Sequence, residues 1–210
     1  MPRVGLTRAG VIAAGIELVD RQGLAGFADL TLASVAAEVG VAVPSLYKHV
    51  SSLADLRRGI AVDSVESLTL ALTRATTGRS GRDAVGAMSH ALRSFALEHP
   101  GRYAATQVAA NPRDPDDAPL SARSADTVAV IAAVLRAFDL PPERMIDAIR
   151  MLRSALHGFV VLELGSGFGL PDDLDRSFEV MVETVTSGVE RLAASVPSVP
   201  VLTGQDGISG

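Results

Sequence analysis

The side chains best suited to chemistry sit together in one short stretch, Val43-Pro44-Ser45-Leu46-Tyr47-Lys48-His49. Lys48 is the only lysine of the 210-residue chain, and its ammonium can neutralise a phosphate or reach the acceptors of a guanine. Ser45 can donate a hydrogen bond to phosphate or base, beside the free backbone N–H groups of a helix start. Tyr47 can donate from its phenol while its ring packs on a sugar, and His49 can donate to phosphate. These are the donors that nucleic acid asks for. A plainer role stays open for Tyr47 and His49, as cap and core residues of a small helical bundle.

The elements that must position these donors lie just upstream. Pro44 suits the first position of a helix, because its missing N–H is one that the helix leaves unbonded anyway. Before it, a short helix opens near Thr31 and runs to Val39, and Gly40 permits the turn between the two. Val35, Val39, Val41 and Leu46 supply the apolar contacts that hold the helices together, and Ala36 is small where they approach closely. Such a pair is a helix-turn-helix, whose second helix reads the major groove. Val43, Pro44, Ser45, Tyr47, Lys48 and His49 then face outward on a helix short enough for a groove about 12 Å wide. Thr31, at the start of the first helix, is counted with them as a DNA contact.

Every other periodic segment also reads as helix. Thr7 caps a helix carrying Ile12, Ile16 and Val19 on one face, closed by Gly23. Further helices run from Leu53 to about Thr76, through Ala84, Met88, Leu92 and Phe95 to a stop before Pro100, over Tyr103–Ala110, and from Leu120 to Phe138. The strongest stripes come last. One follows Pro141-Pro142 with Ile146, Ile149, Leu152, Leu156, Phe159 and Val160. The other starts near Asp172 with Leu174, Phe178, Met181, Val185, Val189 and Leu192. The acidic residues Asp172, Asp173 and Asp175 suit the positive end of that last helix, and Asp114, Asp116 and Asp117 fall in a solvated loop spanning 111–119. No strand-like alternation of useful length occurs, so the expected fold is all-α. Its expected parts are a helix-turn-helix domain over 1–52, a larger helical domain over 53–195 and a flexible tail over 196–210.

Composition bounds the function. With 48% hydrophobic and 20% charged residues the chain can build a sizeable core. The absence of cysteine removes disulfides, thiolate metal sites and cysteine nucleophiles. The charge-free run Thr127–Leu135 is about half of the roughly 18–20 residues a membrane span needs, and the start lacks a signal-peptide pattern. No membrane partner and a cytoplasmic location are therefore expected. The net charge of −5 argues on its face against nucleic acid, yet residues 1–60 sum to +1 and the remainder to −6. The acidic excess belongs to the second domain, and modest non-specific affinity for DNA follows. Gly-x-Ser-x-Gly, His-Glu-x-x-His and Walker motifs are missing, and the histidines at 49, 90, 99 and 157 lack metal spacing. Neither an enzyme nor a cofactor is expected.

The run Val35-Ala36-Ala37-Glu38-Val39-Gly40-Val41-Ala42-Val43-Pro44-Ser45-Leu46-Tyr47-Lys48-His49-Val50, with Asp55-Leu56 after it and Gly23-Leu24 before, resembles the DNA-binding signature of TetR-type transcriptional regulators. Val50 stands where many relatives carry an aromatic residue, and Leu53 where many carry a lysine. Leu156-His157-Gly158-Phe159 resembles, more distantly, the subgroup named for a Trp-His-Gly triplet, with Leu156 in the tryptophan's place. The resemblance implies a ligand-responsive dimeric repressor on a palindromic operator, released when a small hydrophobic molecule binds the second domain. It places an effector pocket among Met88, Phe95, Tyr103, Gln107, Met151, Phe159 and Phe168, with His157 as a polar anchor. It also implies that the last two helices pair with those of a second copy, through Ile149, Leu152, Leu156, Val160, Phe178, Met181, Val185 and Val189, although the same stripes can pack internally and each helix must do some of both. The alternative is a helical small-molecule-binding or protein-interaction module whose helix-turn-helix is vestigial.

Overall fold

A computed structural model describes residues 6–171 and 173–194; the expected tail over 196–210 and Asp172 lie outside the described residues. Thr7 opens α1 (Arg8–Arg21) as a cap, its hydroxyl accepting from the Gly10 N–H at 3.1 Å. The link from Gly23 to Thr31, to which the sequence pattern assigns no element, is helical: a 3-10 turn over Gly23–Ala25 and then α2 (Gly26–Asp29). It folds tightly back on α1, so that a Cβ on Gly26 would stand 2.4 Å from the Val19 carbonyl oxygen. After it come α3 (Leu32–Glu38), α4 (Val43–Leu46) and α5 (Leu53–Thr76).

The second half contains α6 (Gly81–Glu98), α7 (Pro100–Ala105), α8 (Ala118–Leu135), α9 (Pro142–Leu164) and α10 (Leu174–Ala194). Among the described residues there is no strand, and the fold is all-α. α6 stops before Pro100 as expected, and Pro100 itself opens α7, which begins before Tyr103 and ends at Ala105 rather than Ala110. Asp173 serves the start of α10 as expected of an acid there, its carboxylate accepting from the N–H groups of Asp175 at 2.9 Å and Arg176 at 3.2 Å.

Two apolar cores share one helix. The first joins Val11, Ile16, Val19, Leu30, Val35, Leu46 and Val50 to Leu56 and Ile60 of α5. The second gathers Leu68 and Leu72 of the same helix with Met88, Phe95, Tyr103, Leu156, Val160 and Phe178. The boundary expected at residue 52 thus falls on the cap of α5, whose first turns still belong to the N-terminal core. A second joint lies where α7 crosses α1. There a Cβ on Gly101 would sit 2.2 Å from the Val19 oxygen, and Asp20 accepts from the Arg102 N–H at 2.8 Å.

The apolar stripes of α9 and α10 turn inward. Ile149, Leu152, Leu156, Val160, Phe178 and Val189 are each 7% exposed or less, while Met181 and Val185 pack partly buried against the same core. This burial leaves Ile149, Leu152, Leu156, Val160, Phe178 and Val189 little surface for a partner, whereas Met181 and Val185 keep part of theirs. The apolar residues that face out are Ile146 (49% exposed), Leu162 (48%) and Val180 (55%).

One helical stretch, Pro115–Phe138, is long and apolar enough by length and composition to cross a membrane. The charge-free run alone had understated it. Leu120, Val134 and Leu135 of that stretch are buried in the protein, and Arg123 pairs on its surface with Asp126 and with Glu66 of α5.

Candidate nucleic-acid interface

The two short helices are held by local bonds that the sequence writes out. Thr31 and Ser34 form a reciprocal cap: the Thr31 hydroxyl accepts from the Ser34 N–H at 3.0 Å, and the Ser34 hydroxyl accepts from the Thr31 N–H at 3.2 Å. At the other end Gly40 adopts φ 70, the left-handed region that suits glycine. This lets the Val41 N–H reach the Ala36 carbonyl at 2.9 Å and the Gly40 N–H reach Ala37 at 3.2 Å, a Schellman closure. α4 follows with Pro44 in its first turn, and the chain winds on to His49 with bonds from the His49 and Val50 N–H groups to the Leu46 carbonyl.

On this unit Pro44, Tyr47 and Lys48 are exposed, and Ser45 and His49 are half-buried. Tyr47, at 55%, is conspicuously exposed for an aromatic residue. Val43 packs against the first core and does not face fully outward, because it closes the contact between α3 and α4. Thr31 is exposed, with its hydroxyl engaged in the cap. Ala42, the exposed residue before α4, escapes a search for donors because it carries none. Val50 is buried and Leu53 packs on the same core, so neither offers a group to phosphate.

A charged joint fixes the far end of this unit. Asp55 accepts two bonds from the Arg8 guanidinium, at 2.8 and 2.6 Å, one from the Ser51 N–H at 2.9 Å and one from the Ser51 hydroxyl at 3.3 Å. Beside Arg8 the Asp55 carboxyl is held down to about 2. Arg8 also donates to the His49 carbonyl at 3.2 Å, so α1, the end of the recognition segment and the start of α5 meet at one guanidinium. Arg21 pairs with Glu38 at 2.6 Å, and Asp20 is shared by Arg102 and His99. Asp55, Glu38 and Asp20 are thus paired, whereas Lys48 has no carboxylate partner among the described residues. The surface left to a polyanion is locally positive despite the acidic chain. Sequence reasoning missed Arg8, because its partner lies 47 residues away.

The second domain encloses a cavity of about 390 Å³, within the range of small-molecule sites. Its walls are α5, Leu92 of α6, residues 106–110, α8 and the Ile149–Arg153 turn of α9. Of the side chains expected there, Gln107 lines it. Met88, Phe95 and Tyr103 are buried in the second core instead. Phe159 lies against Phe168 and Phe178 at centroid distances of 4.8 and 5.2 Å, and Met151 packs on a smaller cluster with Ile149 and Val189. His157 meets the Tyr103 hydroxyl at 3.0 Å through Nδ1. Burial pushes the phenol up to about 12, and burial followed by the field of Arg153 lowers the imidazole, so the two groups meet as a neutral hydrogen-bonded pair. Aliphatic side chains of α5, α6 and α8 line the cavity in place of the expected Phe and Met. The cavity survives where Ser121, Ser124, Ala109 and Ala110 are small.

A larger recess of about 560 Å³ separates α1 from α5 and the 114–119 segment. Its cations are already satisfied: Arg8 by Asp55, and Arg58 by Asp117 at 2.5 Å, Asp114 at 3.0 Å and Asp116 at 3.5 Å. The three aspartates expected in a solvated loop therefore clamp α5, and the recess is a joint between elements rather than a pocket with an open charge. Among the described residues no three His, Asp or Glu side chains are placed to hold a metal ion.

Comparison with known proteins agrees with this geometry. Residues 85–185 match the family described as tetracyclin repressor-like, C-terminal domain. An uncharacterized HTH-type transcriptional regulator of Mycobacterium tuberculosis, Rv0681, is 37% identical over 89% of this chain and 83% of its own. Another from Bacillus subtilis, YobS, is 31% identical over 90% of this chain and 95% of its own. The fold is shared with a TetR variant from Acinetobacter baumannii AYE in complex with minocycline, at a TM-score of 0.61 and 22% identity over 91% of this chain and 100% of that one. A glycine-turned helix pair presenting an unpaired lysine, a matching C-terminal domain and regulators as relatives converge on one conclusion: this chain belongs to the TetR family of transcriptional regulators and is not an enzyme.

Proposed function

We propose that this regulator is a cytoplasmic homodimer that represses transcription at a palindromic operator and lets go when a small, largely apolar molecule fills the 390 Å³ cavity. The observation that carries the reading is the exposed Tyr47–Lys48 pair on the segment that follows the capped α3 and the Gly40 turn, with Asp55 and Glu38 already paired to arginines. Ser45, Tyr47 and Lys48 contact the phosphates and base edges, Thr31 lies at the phosphate flank, and His49 is positioned through its carbonyl by Arg8. Two such units must present their recognition helices about 34–36 Å apart, which requires a dimer. The outward apolar residues Ile146, Leu162 and Val180, set among the small Ser154, Gly158 and Thr184, supply its contact surface. His157-Gly158 at the middle of α9 supports kinship with the Trp-His-Gly subgroup.

The route from cavity to DNA is short. Residues 108–110 line the cavity and lead directly into the loop whose aspartates clamp Arg58 on α5. Asp55, one turn earlier on α5, holds Arg8 and the end of the recognition segment. Ligand that favours a shifted 108–117 segment rotates α5 and changes the spacing of the two recognition helices, a shift between two populations.

Selection of bound fragments from random double-stranded DNA, followed by fluorescence anisotropy across a salt series, tests this. A palindromic site is expected, and Lys48→Ala should lower affinity about tenfold and reduce the salt slope by about one. Dimeric protein that selects no sequence at low salt, or a Lys48→Ala variant with unchanged affinity and slope, overturns the reading in favour of a vestigial helix-turn-helix.

A further inference from the structure

We propose that the cavity of the second domain takes an amphipathic monocarboxylate, its apolar body against α5 and α8 and its carboxylate on Arg153. This rests on the reading of that cavity as the effector site and names the chemistry of what enters it.

The charge of the wall is decisive. Arg153 is the one ionisable side chain among the residues that line the cavity, and the wall contains no acid to balance it. Its guanidinium makes a single hydrogen bond, from Nη2 to the Gln107 Oε1 at 3.2 Å. Arg58 and Arg93, largely buried, meet three carboxylates and Glu163 with Asp175 respectively, whereas Arg153 stands exposed at the rim of the cavity. Arg153 meets no carboxylate among the described residues. Its open charge is felt nearby, since it disfavours protonation of His157 after burial has done so.

The polar group beside it is held in place. Gln107 donates from Nε2 to the Thr106 hydroxyl at 2.8 Å, and that hydroxyl donates to the Tyr103 carbonyl at 2.7 Å. The string leaves the Gln107 oxygen facing the guanidinium and the remaining guanidinium donors free for an acceptor. A carboxylate matches that fork in shape and carries the single charge that one arginine balances. A phosphate monoester, at about −1.5 to −2, would leave excess negative charge against an apolar wall. A cation would be repelled. Beyond Arg153 the wall is Val65, Leu68, Leu72, Leu92, Val128 and Ile131, and the volume of about 390 Å³ holds roughly a dozen non-hydrogen atoms at ~30 Å³ each.

The test uses full-length protein, isothermal titration calorimetry and probes of one chain length: sodium decanoate, 1-decanol and decyltrimethylammonium, all below their aggregation limits. Decanoate should bind at least about tenfold tighter than decanol, and the ammonium should not bind measurably. Arg153→Leu and Arg153→Gln should bring decanoate down to the level of decanol, and Arg153→Lys should restore part of the preference. Ser124→Phe, which fills the cavity from α8, should abolish binding of both probes. Circular dichroism melts confirm that each variant is folded. Equal affinity for decanoate and decanol, or a preference that survives Arg153→Leu and Arg153→Gln, overturns the proposal and leaves the cavity's role as an effector site standing. Failure of every probe to bind, with operator binding intact, overturns both.

Discussion

Replacing Asp55 by Asn isolates the charged joint beneath the recognition segment. The carboxylate lies 16% exposed between Arg8 and Ser51, and its fall from an ordinary 3.8 to about 2 measures how strongly the folded chain favours its ionised form. At about 1.36 kcal/mol per pH unit that preference amounts to about 2.4 kcal/mol. Water reaches Arg8, whose side chain is 47% exposed, and this screening reduces the contribution to about 1–1.5 kcal/mol. Asp55→Asn keeps an acceptor for the Ser51 N–H but loses the charge, so it should cost that amount at pH 7 and lower the Tm by about 2–6 °C. The sign with pH is definite. Because the folded carboxyl is depressed, its stabilisation is complete above about 3.8 and is lost as pH falls from there towards 2. The gap between wild type and variant, measured by urea denaturation at pH 7, 5, 4 and 3, should therefore stay constant down to pH 5 and narrow below pH 4. A double-mutant cycle with Arg8→Gln should return most of the loss as coupling. Equal stability at pH 7, or a gap undiminished at pH 3, refutes the assignment of the energy to this pair.

Two further outcomes follow from close packing and from exposure. Gly101→Ala would set a Cβ 2.2 Å from the Val19 oxygen and 2.3 Å from its carbonyl carbon, both backbone atoms, so α7 must lift off α1. A loss of at least about 2 kcal/mol and a Tm lower by about 4–8 °C are expected, and a Tm within a degree of wild type would show that this crossing is looser than its geometry. Leu162→Glu combined with Val180→Glu should convert the proposed dimer to a monomer in light scattering while leaving the far-ultraviolet circular dichroism unchanged; a persisting dimer would move the interface elsewhere on the subunit.

The helix-turn-helix was legible because its determinants are local. The Thr31 cap, the Gly40 turn, the small Ala36 and Pro44 each act within a few residues; the first three stand where the sequence places them, and Pro44 takes the second position of α4 rather than the first. The fold class and the span of α5 over Leu53–Thr76 were legible for the same reason. Residues 23–29 were not, because a short helical turn without an apolar period resembles a loop until Gly26 is seen against Val19.

Helical periodicity by itself determined which residues of α9 and α10 are apolar and share a face; only the tertiary structure decided what that face meets. A helix between a core and a partner has two contact surfaces, and the stronger stripe marks the deeper burial, so Leu156, Val160 and Phe178 belong to the subunit's own interior. The cavity shows the same division. Residue type suggested Phe and Met as its lining, yet Met88 and Phe95 fill the core, and the void lies between aliphatic residues of α5 and α8 and the small Ser121, Ser124, Ala109 and Ala110. The sequence alone gave no sign that Arg153 would be left without an acid or that Arg58 would have three, because a charge is balanced by whatever the fold brings within a few ångströms, from any distance along the chain.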